Sequence, residues 1–164
     1  YEPVDGSLAL GAIAFQRRIE SAAFRAGGDH YDVPVETVGD FLAGDRPVHM
    51  PGRVQPGYRG GEHFRLARMG DVLPDFACRN LARGLRAFDR KRPGYAMPEA
   101  ILSAAETRTS APVRILRGED FCAIGQPGLY PCGEGAGYAG GITSAAVDGI
   151  RVAEAICARY APVH

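Results

Sequence analysis

A surplus of charge is the first thing this sequence does not have. Nineteen basic residues face nineteen acidic ones, so no overall field draws the chain to nucleic acid, to an anionic membrane or to a cationic partner. Lysine is nearly absent: Lys91 stands alone among arginines, which fits an arginine-rich proteome and carries no mechanism. Cys78, Cys122, Cys132 and Cys157 lie far apart with no C-x-x-C, excluding a zinc ribbon and a redox pair and leaving four free, mostly buried thiols as the expectation. His30, His49, His63 and His164 show no metal-ligand spacing, so no metal is expected. There is no P-loop, no nucleophile elbow, no secretory signal and no apolar run of membrane-spanning length. The expectation is a soluble, cytoplasmic protein without nucleic-acid or membrane partners. The chain opens Tyr1-Glu2-Pro3 without methionine, and a piece of something longer is expected.

What is present reads as one domain's length of mixed structure. Residues 1–14 are a strand or an irregular lead-in. Phe15, Ile19, Ala22, Ala23 and Ala26 keep helical spacing up to Gly27-Gly28. Pro34 suits a first helical turn, with Val35, Val38, Phe41 and Leu42 on one face before Gly44. Residues 44–70, rich in glycine and proline, read as a long loop. Ala77, Leu81, Leu85 and Phe88 then form the apolar side of a helix whose other side carries Arg79, Arg83, Arg86 and Arg90, stopped at Pro93-Gly94. Pro112 to Arg117 and Leu129 to Cys132 read as extended strands, the second weakened by Pro131. A last helix runs from Ile142 through Ala145, Gly149 and Ile156, with Asp148, Arg151 and Arg159 turned outward. Composition shifts near residue 105, giving regions 1–105 and 106–164.

Five glycines fall among the nine residues 133–141, between an apolar run and that last helix. Such a loop lets bare backbone approach a phosphate or a planar ring, at the positive end of a helix. Gly135 to Gly140 matches G-x-G-x-x-G, the dinucleotide fingerprint, but the second strand and ribose-binding acid that this fingerprint requires do not follow. Tight helix-to-sheet packing without a ligand is the other reading.

Gly128-Leu-Tyr-Pro-Cys-Gly-Glu-Gly-Ala-Gly-Tyr-Ala-Gly-Gly-Ile-Thr-Ser-Ala-Ala-Val-Asp-Gly149, preceded by Glu-Thr-Arg-Thr-Ser-Ala-Pro-Val-Arg-Ile at 106–115, resembles the C-terminal part of bacterial FAD-dependent dehydrogenases of the glutathione-reductase-type flavoprotein superfamily. The likeness extends to Ala14–Glu20, Val38–Leu42 and the Gly-Tyr-Arg-Gly-Gly turn at 57–61, nearly the whole chain. It implies an α+β piece of an α/β FAD-binding flavoprotein: a helical, substrate-facing region over 1–105, then a strand-strand-helix return of the FAD domain over 106–164. It also implies the cofactor FAD, with Glu134 on a ribityl hydroxyl, the backbone of Gly140, Gly141 and Ile142 at the isoalloxazine C2 carbonyl, and Gly133 among the cofactor-binding residues. The N-terminal Rossmann unit of such enzymes has no counterpart here. The resemblance therefore implies a missing partner domain, and a fragment that alone is inactive and holds FAD weakly or not at all. Arg108 either approaches the flavin or an anionic substrate, or pairs with Glu106; Tyr138 either covers the ring or packs. The alternative from another class is a noncatalytic interaction domain that binds phosphate or nucleic acid through Arg79, Arg83, Arg86 and Arg90.

Overall fold

The computed structural model describes residues 2–44, 49–56, 63–108 and 110–160. Its elements run α1 (Leu8–Ala26), β1 (Val33–Thr37), α2 (Val38–Ala43), β2 (Phe64–Leu66), α3 (Met69–Val72), α4 (Asp75–Lys91), β3 (Ile101–Ser103) and α5 (Ile142–Arg159). The architecture is small and α+β. The chain divides into two compact units, a continuous one over Arg17–Ala105 and a discontinuous one that joins Tyr1–Gln16 to Glu106–His164.

The continuous unit is built on β1. This strand lies between β2, which pairs parallel (Val33 with Phe64, Val35 with Leu66), and β3, which pairs antiparallel (Val35 with Ser103, Thr37 with Ile101). Val35, Val38, Met69 and Val72 form its buried apolar centre. Pro34 therefore sits in a central strand rather than in a first helical turn. It is tolerated because the ladder to β3 begins one residue later, at Val35, while the Pro34 carbonyl still accepts the Ala104 N–H (3.1 Å). Helix α2 starts only at Val38. Thr37 Oγ1 accepts the Asp40 N–H (3.2 Å) as its N-cap, and Gly44 ends it at φ 78°. Replacing the buried Thr37 by alanine removes that acceptor, and chemical denaturation is expected to show a loss of about 1 kcal/mol.

The expected loop at 44–70 holds β2 and the start of α3 in its described part; Gly57 to Gly61 and part of the turn after Gly44 lie outside the described residues. The sequence also hides β3, three residues without period-two alternation. Helix α4 forms with the expected bounds, yet none of its residues is buried, and Phe76, Leu81 and Phe88 stay exposed.

In the discontinuous unit α1 begins at Leu8, well before Phe15, so residues 8–14 are helical rather than extended or irregular. Gly11 lets the backbone of the preceding residues pass against this helix, because a Cβ there would lie 2.1 Å from the Glu2 carbonyl oxygen. The side-chain amide of Gln16 donates to the Thr107 carbonyl. The two strands expected at 112–117 and 129–132 do not form. Arg117 and Ala123 make an isolated bridge, and around it the backbone bonds locally, Gly118 N–H to Cys122 O (2.9 Å) and Ala123 N–H to Leu129 O (2.8 Å). Pro112 and Pro131 each remove a donor a ladder would need. Helix α5 forms over Ile142–Arg159 with Val152 as its buried residue. All four cysteines are free, but Cys122 alone is buried, while Cys132 and Cys157 are exposed.

Candidate functional site

The glycine-rich segment is a chain of tight turns held from three sides. Gly137 N–H donates to Glu134 O (2.9 Å) and Tyr138 N–H to Gly133 O (3.0 Å). Ile115 N–H donates to Ala136 O (3.1 Å) and Arg114 Nε to Gly137 O (2.9 Å), tying the loop to the 113–117 stretch. Gly133 and Gly137 have φ of 68° and 83°, and a Cβ on Gly137 would lie 2.4 Å from Val113 O. The loop and that stretch pass so closely that only glycine fits at 137. Nothing crowds Gly135.

Beneath the loop lies a cluster that spacing does not reveal. Arg117 makes a two-pronged ion pair with Asp148 on α5, Nη2 to Oδ1 at 2.6 Å and Nη1 to Oδ2 at 3.0 Å, and also donates to Pro131 O (2.7 Å). The Gly133 N–H donates to Asp148 Oδ2 (2.8 Å). The guanidinium lies over two rings, 3.6 Å from the Tyr138 centroid and 4.7 Å from that of Phe121. Tyr138 is fixed in turn by its hydroxyl, which donates to Ile115 O (2.9 Å). Tyr138 thus packs over Arg117. The Arg117 and Asp148 side chains are 9% and 14% exposed, so Asp148 points inward, not outward as its helical phase suggests. The Arg117 hydrogen bonds, reinforced by the Gly133 N–H, hold the Asp148 carboxyl down to about 2 from its ordinary 3.8, and the same pairing raises Arg117. Two residues 31 positions apart thus fasten α5 to both ends of the 117–133 segment.

At the start of α5, Gly141 is the N-cap in an extended conformation; no side chain caps the helix and no acid lies in its first turn. Helix geometry leaves the first-turn N–H groups without intrahelical partners. Ile142, the first helical residue, is 94% exposed. The Glu134 side chain is half-buried and makes no hydrogen bond or ion pair among the described residues. Gly133, Glu134, Gly140, Gly141 and Ile142 thus belong to one loop and the helix end it feeds. Arg108 is elsewhere in the chain: its N–H donates to Glu106 Oε1 (3.3 Å), a local turn.

In the continuous unit, an open cleft of about 430 Å³ is lined by Ala22, Arg25, Arg65, Leu66 and Asp71. The α4 arginines are partly committed, Arg86 to the Leu42 carbonyl (3.2 Å), while Asp89 accepts from Gly94 and Ala96 N–H (both 3.0 Å). Among the described residues there is no helix long and apolar enough to cross a membrane and no group of three or more metal-ligating side chains.

A family model described as "FAD-dependent protein, C-terminal domain-like" matches residues 2–109, and the chain belongs to that family. The match ends before the glycine loop. A protein from Clostridium beijerinckii, named only as uncharacterized, is 49% identical over 159 residues; these cover 97% of this chain and 29% of that relative. The chain thus spans less than a third of the length of the curated relative it matches.

Proposed function

We propose that this chain supplies the isoalloxazine and ribityl side of the flavin site in an FAD-dependent oxidoreductase of the glutathione-reductase type. The Glu134 carboxylate holds a ribityl hydroxyl, the backbone at Gly140, Gly141 and Ile142 meets the flavin C2 carbonyl, and Gly133 lines the approach. FAD, when bound, supplies hydride transfer at its N5 in a dehydrogenase reaction. The residues of this chain hold the ring and stabilise charge at its pyrimidine edge, since a helix N-terminus favours negative charge there. The observation that carries this reading is the pairing of a Glu134 carboxylate that has no partner among the described residues with a helix end free of any side-chain cap or first-turn acid. The Rossmann unit that binds the rest of FAD lies in sequence outside this chain, as the much longer relative allows. The exposed apolar residues Leu116, Ile124, Ile142 and Ile150 are suited to face such a partner. The cleft of the continuous unit is where a small substrate is expected to enter.

Flavin fluorescence during FAD titration of the full-length protein tests this. Glu134→Ala is expected to raise the FAD dissociation constant about tenfold, for the loss of a charge-assisted hydrogen bond. Gly141→Val is expected to raise it further by obstructing the backbone. Indifference to both substitutions would sink the assignment.

A further inference from the structure

The open cleft of the continuous unit carries a charge pattern that defines what it can take. On α1, Ala22, Arg25 and Ala26 stand at i, i+3 and i+4, so one cation and two methyl groups share the helix face that lines it. The next two elements contribute Arg65 and Leu66 from β2 and Asp71 from α3.

Arg65 follows a course prepared for it. Gly28 has a φ of 85°, and a Cβ there would collide with Arg65 Nη1 and lie 3.0 Å from its Cζ. The guanidinium therefore lies against bare backbone at the turn after α1, a passage that only glycine leaves open. Neither the Arg25 nor the Arg65 guanidinium makes a hydrogen bond or ion pair among the described residues, and Asp71 pairs with neither. Arg86 in the same unit is the contrast, committed to the Leu42 carbonyl. Two cations and one anion leave the lining of the cleft at +1, with both cations free to bind one acceptor group.

We propose that this cleft binds a small monocarboxylate with an apolar body. Arg25 and Arg65 take the carboxylate, whose two oxygens match the planar fork of guanidinium N–H groups, and Ala22, Ala26 and Leu66 take the hydrocarbon. Asp71 sets the charge limit, because it repels a second negative charge and so disfavours a phosphate dianion. A volume of about 430 Å³ suits a ligand of that size. As a statement about the substrate, the inference rests on the reading of this cleft as the substrate entrance; as a statement about binding, it uses none of the flavin-facing residues.

The test uses hexanoate, its neutral isostere hexanamide and inorganic phosphate, each titrated into this chain without flavin and followed by backbone amide chemical shifts. Hexanoate is expected to shift the Ala22, Ala26 and Leu66 amides saturably, about tenfold more tightly than hexanamide or phosphate. Arg25→Gln and Arg65→Gln, both at exposed positions, are each expected to weaken hexanoate about tenfold, and Arg83→Gln on α4 is expected to leave it unchanged. The absence of a saturable shift, equal binding of hexanamide, tighter binding of phosphate, affinity undiminished in both cleft variants, or an equal loss in Arg83→Gln would each overturn the proposal. With no flavin present, such a failure leaves the Glu134 assignment standing, and indifference of FAD binding to Glu134→Ala leaves the hexanoate result untouched.

Discussion

Replacing Arg117 by alanine is expected to destabilise the discontinuous unit by about 3 kcal/mol, measured as the shift of its denaturation midpoint, because it strands a largely buried Asp148 carboxylate. The pair is not wholly enclosed, which places the loss at the lower end for a broken buried ion pair. More than the ion pair goes: Pro131 O loses its donor and the Tyr138 and Phe121 rings lose the cation over them. Arg117→Met with Asp148→Leu is expected to recover part of the loss and not all, since Gly133 N–H and Pro131 O stay unsatisfied. The same pair sets an acid limit. With its folded value near 2 against an ordinary 3.8, Asp148 binds protons more readily unfolded. Its contribution is complete above about pH 4 and is lost as pH falls toward 2. Urea midpoints followed down through this window are expected to fall more steeply for the native chain than for Asp148→Asn.

Gly137→Ala comes next, at about 3 kcal/mol, combining a positive φ that alanine adopts at a cost with a Cβ driven against Val113 O. The loop and the 113–114 backbone would have to part, breaking the bond from Arg114 Nε to Gly137 O and tilting Tyr138 off Arg117. Gly135→Ala is the internal control. It belongs to the same glycine pattern, has no positive φ and has open space at its Cβ, so its stability is expected to stay within about 0.5 kcal/mol of the native chain. Equal losses in the two variants would show that the loop's glycines serve some general flexibility and not a close crossing at one of them.

The contrast between those two glycines shows what the sequence could and could not disclose. Periodicity over a long window located α4 and α5 well, because many residues vote for one phase. It misled at Pro34, where a proline that suits a helix start equally suits a strand residue just before its ladder begins. It missed β3, whose three residues are extended because of what they pair with, not because of what they are. The expected strands at 112–117 and 129–132 failed for the complementary reason: β-branched residues without a partner close into local turns. Asp148 was assigned to the outer side by helical phase alone, and no local pattern announces a guanidinium 31 residues upstream. A signal was nonetheless there, since an acid on the small-residue side of a helix asks for a partner. Of the candidate flavin residues, the glycines and Glu134 stand out by composition, while the cluster beneath them is visible only in three dimensions.

The contact between the Gln16 amide and the Thr107 carbonyl has a topological consequence. It brings together two points of one compact unit that are separated by 91 positions along the chain, so the whole of Arg17–Ala105 is threaded between them as an insert. Closing a segment that long costs chain entropy that grows only slowly with length. Changes in the length of the insert beyond the shared helix α1 are therefore expected to cost the unit that carries the glycine loop little chain entropy, as long as the two ends return to Gln16 and Glu106.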